Sequence, residues 1–177
     1  MLAARELRHV RWQPRFEADY AVEHRADGTT HPKDKDNDPR SARALETTPA
    51  DMVRFFEAVL RGDGLRASSW NEMFSPHIRI RTAAQFGPGA QQESDANDDI
   101  ELSYGLGWGL LHTPCGWGAF KEGHGDGFQH YGIVFPEVGL GMLLMSNSDN
   151  AEGIFDELLR TGIADSYTPA EWESYPY

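Results

Sequence analysis

The strongest constraint on the fold of this chain is a change in hydrophobic periodicity near residue 102. Before that point, Met52, Val53 and Phe56 recur at helical spacing behind Thr48, which predicts an N-capped helix that ends before Gly62. After it, apolar residues alternate or run together in short segments between turn residues, which is typical of strands. Strands are predicted over residues 102–110, 116–121, 128–135 and 140–146, and a final helix over residues 152–163.

This order of elements predicts an α+β domain, an antiparallel sheet flanked by helices. A short second helix is predicted over residues 69–74, because Ser69 and Glu72 have capping-box spacing. Residues 82–99 are rich in Gly, Gln, Asn and Asp and predict a long loop. The nearly continuous apolar run over residues 140–146 predicts a central strand covered on both faces. The aromatic segment over residues 167–177 is predicted to be extended.

The first 45 residues differ from the rest of the chain. Residues 31–40 alternate in charge, hold two prolines and have no apolar periodicity, which indicates a surface loop or linker. We therefore divide the chain into a poorly ordered segment, residues 1–45, and a domain, residues 46–177. The two large aromatic side chains of Trp12 and Phe16 are expected to pack against that domain.

Charge and apolar content exclude several classes of partner. The 177 residues hold 16 Lys and Arg and 28 Asp and Glu, for a net charge of −12. Residues 46–177 hold 7 basic and 20 acidic side chains, so a surface for nucleic acid or anionic membrane is not expected. The longest purely apolar run, residues 142–145, is too short to span a bilayer. The single cysteine, Cys115, excludes an intrachain disulfide.

The strongest candidate for a functional site in the sequence is the segment of residues 122–128, Glu-Gly-His-Gly-Asp-Gly-Phe. Three glycines within five residues leave the backbone bare around a histidine and an aspartate. A ligand can approach main-chain N–H groups closely at such a place. The alternative interpretation is a glycine-rich hairpin turn with incidental polar side chains, and local composition leaves both open.

Two other chemistries are compatible with the residue types. Zinc accepts side chains of the types found at five positions, although the spacing of these positions matches no helical ligand pair. The five are His112, Cys115, His124, Asp126 and His130. His130 also fits a hydrogen-bonded strand residue. Cys115 is a candidate nucleophile beside His124, against the alternative of a small packed side chain. The sequence has no Ser-x-x-Lys, Tyr-x-Asn, Gly-x-Ser-x-Gly or phosphate-loop motif.

Five stretches together resemble the C-terminal half of the serine β-lactamase-like family, which includes class C β-lactamases, D-Ala-D-Ala carboxypeptidases and related esterases. Residues 104–108, Tyr-Gly-Leu-Gly-Trp, are similar to that family's Tyr-Gly-x-Gly-Trp strand. Residues 123–128 resemble its third motif, Lys/His-x-Gly, followed by Gly-Phe. The other stretches are residues 47–55, residues 135–148, and residues 12–17 with 168–173.

The resemblance implies a partial β-lactamase/transpeptidase-like fold and acyl transfer to a serine, with a small amide or ester as substrate and no cofactor or metal. His124 matches the Lys/His position and is implied to bind the proton network or a substrate carboxylate. The backbone N–H of Gly127 is implied to be one oxyanion-hole donor. Gly125, Asp126 and Phe128 are the implied substrate-binding residues.

The chain departs from the family pattern in two ways. Asp126 stands where the family usually has glycine, and its carboxylate is expected either to crowd the pocket or to favour the imidazolium form of His124. The nucleophile motif Ser-x-x-Lys and its partner Tyr-x-Asn are missing. We therefore expect a C-terminal fragment of a hydrolase, inactive alone and prone to self-association through uncovered sheet faces.

Two alternatives remain at this point: a non-catalytic binding or complementation module that keeps the glycine-rich pocket, and a metal-dependent hydrolase that uses His124, Asp126 and His130. The sequence indicates neither a substrate nor a compartment.

Overall fold

The computed structural model describes residues 14–35 and 45–173. The helices are α1 (Pro49–Arg61), α2 (Ala67–Met73), α3 (Glu152–Ile163) and α4 (Ala170–Glu173), with 3₁₀ turns at Pro14–Phe16 and Pro88–Gln91. The strands are β1 (Ile78–Arg79), β2 (Ser103–Tyr104), β3 (Gly109–Thr113), β4 (Gly116–Gly125), β5 (Phe128–Phe135) and β6 (Leu140–Ser146).

The six strands form one antiparallel sheet in which each strand pairs with the next along the chain, in the order β1 to β6. The predicted α+β class, with helices flanking an antiparallel sheet, is confirmed. The bounds of β5, β6 and α3 agree with the sequence predictions. In these segments the apolar pattern is long and is bounded by clear turn or cap residues.

The pleat of the sheet separates two hydrophobic cores. Successive strand residues point to opposite faces, so Phe120 packs with Leu159 of α3 and Trp172 of α4. Its neighbour Ala119 packs with Phe56 of α1 in the second core. The sheet is therefore the middle layer of three, with α3 and α4 on one face and α1 and α2 on the other.

Helix α1 is fixed at both ends as the sequence predicts. The hydroxyl of Thr48 accepts a hydrogen bond from the N–H of Asp51 at 3.2 Å, which satisfies one of the unpaired donors of the first turn. Gly62 ends the helix in a left-handed conformation, with φ of 70°. The indole N–H of Trp70 donates to the carbonyl of Val59 at 2.8 Å and ties α2 to α1.

The prediction of one continuous strand over residues 102–110 is wrong, because the chain turns back between β2 and β3. The N–H of Gly105 donates to the carbonyl of Trp108 at 2.9 Å across this turn. Gly107 has a φ of +81°, which favours glycine, and a Cβ at Gly105 would lie 2.5 Å from the carbonyl oxygen of Met73. These glycines serve a tight turn and a close approach, and their alternation with bulky residues only mimics a strand.

Four further predictions need correction. Helix α2 begins at Ala67, after Arg66 with no side-chain cap, so the Ser69–Glu72 capping box is wrong. β4 continues to Gly125 rather than ending at residue 121. β6 contacts α1 and α3 but is an edge strand of the described sheet, not a central one. The segment after residue 166 contains α4 and is not wholly extended.

The N-terminal region is described only in part. Residues 1–13, which include Trp12, and residues 36–44 lie outside the described residues, so the division of the chain at residue 45 stays a prediction. Within the described segment, His24 forms β-bridges to Thr30 and to Ser148. Among the helices that the structure describes, none has the length and apolar character needed to cross a membrane.

Candidate active site

The five residues predicted to form the site lie at the end of the β4–β5 hairpin. Gly125 pairs with Phe128, so Asp126 and Gly127 make the turn between the strands. A Cβ at Gly125 would meet no atom within 4 Å, so packing does not require glycine there and the space beside the backbone is open. Asp126 is exposed and Phe128 is half-buried.

Gly127 is confined both by its backbone and by its neighbours. Its φ is +73°, and a Cβ at this position would lie 2.4 Å from the Cβ of Glu23. Its N–H donates to Oδ1 of Asp149 at 2.7 Å. In this structure the carboxylate of Asp149 therefore accepts the hydrogen bond from the Gly127 N–H. The family resemblance assigns this N–H to a substrate oxyanion. That role stays a prediction, and it requires Asp149 to move away from the Gly127 N–H.

His124 is paired with a carboxylate that the sequence did not indicate. Its Nδ1 lies 2.9 Å from Oε1 of Glu152, the first residue of α3, and the two side chains are 17% and 30% exposed. The sequence suggested Asp126, which departs from the family's usual glycine, as a carboxylate that could act on His124, and the structure leaves Asp126 exposed. Glu152 is visible in the sequence only as an acid in the first turn of a helix, 28 residues away, and only the fold brings it to the hairpin.

Buried Gln129 holds the start of α3 beside the hairpin. It is the register partner of His124 on β5 and has no exposed surface. Its side-chain carbonyl accepts from the N–H of Glu152 at 2.7 Å, and its amide donates to the carbonyl of Asp149 at 2.9 Å. Because Ala151 provides no side-chain cap, Gln129 supplies the acceptor that the first turn of α3 otherwise lacks.

A second histidine–carboxylate pair lies on the other side of Gly127. Nε2 of His31 is 3.1 Å from Oδ2 of Asp149. Partial desolvation raises the pKa of Asp149, but hydrogen bonds from His31 and Gly127 and the nearby charges of His31 and His124 outweigh it and leave the pKa below its ordinary value. Sequence reasoning missed both residues, because His31 falls in a segment that indicates only a linker.

The His31–Asp149 pair is held in place by two backbone hydrogen bonds between segments that are far apart in the sequence. The N–H of His24 donates to the carbonyl of Asn147, and the N–H of Asp149 donates to the carbonyl of His24, both at 3.0 Å. The described N-terminal segment therefore packs on the loop between β6 and α3, where it brings His31 to Asp149.

The buried carboxyl group of Glu173 lies close enough to Glu152 for their charges to interact. Burial raises the pKa of Glu173 well above its ordinary value, and the charges of Glu122, Asp165 and Glu152 add to the effect. Oε1 of Glu173 is buried without a hydrogen-bond partner among the described residues. The carboxylate of Glu122 accepts from the side-chain amide of Gln85 at 2.7 Å. The environment of His124 is therefore acidic.

The remaining candidates lie apart from the hairpin end or have structural roles. Cys115 is exposed in the turn before β4, nine residues from His124, about 30 Å along an extended strand, so a Cys115–His124 pair is wrong. Nδ1 of His130 accepts from the N–H of Ser146 at 3.3 Å, and burial lowers the pKa of His130, as suits a neutral strand residue. His112 lies on β3 against Trp117. No group of three or more His, Cys, Asp or Glu in residues 14–35 and 45–173 is arranged to hold a metal ion.

The described residues thus form a helix–sheet–helix α+β domain with a histidine-bearing hairpin as its candidate site. The sequence matches the Beta-lactamase family over residues 2–164, and the chain belongs to that family. The search of curated proteins gives no match.

The fold is similar to the crystal structure of a beta-lactamase/D-alanine carboxypeptidase from Pseudomonas syringae, with a TM-score of 0.59 and 14% sequence identity. The match covers 91% of this chain and 50% of that chain, so this chain spans about half the length of its neighbour. At that identity the likeness concerns the fold alone.

Proposed function

We propose that this chain forms one wall of the active site of a serine hydrolase that cleaves a small amide or ester through an acyl-enzyme. The observation that supports the proposal is the hairpin end at residues 124–128 of a β-lactamase-family domain. By the resemblance, His124 matches the Lys/His position of the family's third motif, and Gly127 follows that motif. His124 would exchange a proton with the reacting groups or bind a substrate carboxylate. Gly125, Asp126 and Phe128 would contact the substrate.

The attacking hydroxyl must come from residues outside this sequence, because the sequence has no Ser-x-x-Lys and no Tyr-x-Asn motif. Without a nucleophile, donors aligned on the reacting carbonyl give only a small residual rate. We therefore propose that the chain is a fragment of a longer hydrolase, and we expect the chain alone to be inactive. Whether the DNA upstream of the codon for Met1 encodes both motifs in frame is the first observation that tests this proposal.

The test of this function is hydrolysis of nitrocefin and p-nitrophenyl acetate. The purified chain should give no turnover above the buffer rate, and the chain joined to the upstream-encoded segment should turn over at least one of the two probes. His124→Ala in the joined protein should reduce kcat/KM by about 10²-fold or more, the usual contribution of a proton-transfer group. Turnover by the chain alone, or a joined protein that is inactive toward both probes, would overturn the proposal.

The competing function is a non-catalytic binding or complementation module. It is favoured by the contact between Gly127 N–H and Asp149 at 2.7 Å, since this donor is occupied within the protein itself. A rise in melting temperature with benzylpenicillin, together with no turnover by the joined protein, would support the module instead.

Self-association also belongs to this proposal. The expectation of uncovered sheet faces is wrong, because helices cover both faces of the described sheet, so any association would involve apolar side chains exposed on the helices. Val53 and Phe55 on α1 and Ile154 on α3 are 45%, 42% and 54% exposed, and these are the apolar side chains through which copies would associate. Light scattering of the purified chain at increasing concentration tests this, and a constant monomeric mass would rule it out.

A further inference from the structure

The contact between His124 and Glu152 bears on which ring nitrogen of the histidine carries the proton. An ionised carboxylate has no proton to donate and only accepts hydrogen bonds. The 2.9 Å contact between Nδ1 and Oε1 is therefore a bond in which Nδ1 carries the proton. In the neutral imidazole, Nε2 is then the nitrogen with the lone pair.

The carboxylate of Glu152 is held in place by the sheet itself. Its backbone N–H donates to buried Gln129, which stands opposite His124 in the β4–β5 register. The same Gln129 side chain donates to the carbonyl of Asp149. One buried amide thus links the loop after β6, the first residue of α3 and the strand beside His124. This arrangement sets the side chain of Glu152 against the imidazole.

We propose that Glu152 is a positioning residue that fixes His124 in its Nδ1–H tautomer, with Gln129 holding Glu152 in place. The inference rests on the proposed function for its purpose, because in a hydrolase the lone pair at Nε2 would be the group that takes up a proton from the reacting network. In this proposal Glu152 acts through its contact with His124 and does not contact the substrate. It has the role that an orienting carboxylate has beside a general base.

The test is a tautomer measurement by NMR on the whole chain labelled with ¹⁵N-histidine, at a pH above which the His124 signals no longer change. In the wild-type protein His124 should show a protonated Nδ1 and an unprotonated Nε2. Glu152→Ala should move His124 toward the Nε2–H form, while Glu152→Gln, whose carbonyl can still accept from Nδ1, should retain the Nδ1–H form. Gln129→Ala should give a mixture.

The matched control is Glu157→Ala, an exposed glutamate on the same helix, which should leave the His124 signals unchanged. Signals of the other histidines show whether each variant is folded. An Nε2–H tautomer in the wild-type protein would overturn the inference without any variant, and an unchanged tautomer in folded Glu152→Ala would do the same.

This measurement needs no turnover, so its failure is separable from failure of the proposed function. An Nδ1–H tautomer that depends on Glu152, found with no hydrolysis by the joined protein, would leave the positioning role standing and remove the hydrolase. Hydrolysis that requires His124, found with an Nε2–H tautomer, would do the reverse.

Discussion

At the scale of single residues, the site depends on positions that only one side chain can fill. Gly127 combines a left-handed backbone with a neighbour that leaves no room for a Cβ, whereas Gly125, two residues away, has neither constraint. The sequence alone does not distinguish Gly125 from Gly127, because both lie in the same glycine-rich stretch. It identified residues 124–128 as the place where chemistry is concentrated, but it did not find Glu152, His31 or Asp149, because their contacts with the hairpin join parts of the chain that lie far apart.

Gly127→Ala should destabilise the protein by about 2 kcal/mol, from the cost of a left-handed non-glycine residue and the contact with Glu23. Gly125→Ala is the matched control and should change the free energy of unfolding by less than about 0.5 kcal/mol. Urea unfolding followed by tryptophan fluorescence measures both. Equal midpoints for the two variants would contradict the description of Gly127.

Glu173 makes stability depend on pH. Its pKa is raised in the folded protein, so the folded state holds this proton more tightly than the unfolded state does. The stability is complete below the ordinary pKa of the carboxyl group and is lost as the pH rises from there through the raised folded pKa. Glu173→Gln should therefore be more stable than wild type at pH 8 and should lose less stability between pH 5 and pH 8.

The control for this experiment is Glu171→Gln on the same short helix, where the side chain is exposed. It should follow the wild-type pH profile. A Glu173→Gln profile that is parallel to wild type across the range would show that Glu173 ionises freely in the folded protein.

At the scale of elements, the sequence predicts what local patterns determine. Helix α1 has its cap, its apolar stripe and its stop signal within 15 residues, and α3, β5 and β6 are equally self-contained. The turn between β2 and β3 was misread because Gly105 is required by a close approach to the carbonyl of Met73, which the alternation of glycines with bulky residues does not reveal. The edge position of β6 likewise follows from topology, and no property of its own seven residues reveals it.

Thr48→Ala should cost about 1 kcal/mol, because it removes the side-chain acceptor for the N–H of Asp51 at the start of α1. Thr48→Ser retains a hydroxyl and should retain most of that stability. The two variants are compared by their thermal and urea midpoints. A serine variant as unstable as the alanine variant would assign the effect to packing of the threonine methyl group instead of the cap.

At the scale of the whole molecule, a three-layer domain brings the hairpin end, the start of α3 and the described N-terminal segment to one place. The sequence predicts an antiparallel sheet flanked by helices, but it does not predict that helices cover both faces of the sheet. It also does not predict that residues 24–31 pack beside the site, since His31 begins a charged, proline-containing stretch that indicates only a loop or linker.

We propose that this chain provides His124 and that the attacking serine lies on residues outside this sequence. The most direct measurement is intact-mass analysis of the joined protein after reaction with benzylpenicillin. The account predicts a covalent adduct on the serine of the upstream-encoded segment, formed about 10²-fold or more slowly in His124→Ala. An adduct on any residue of this chain, or equal rates with and without His124, would contradict it.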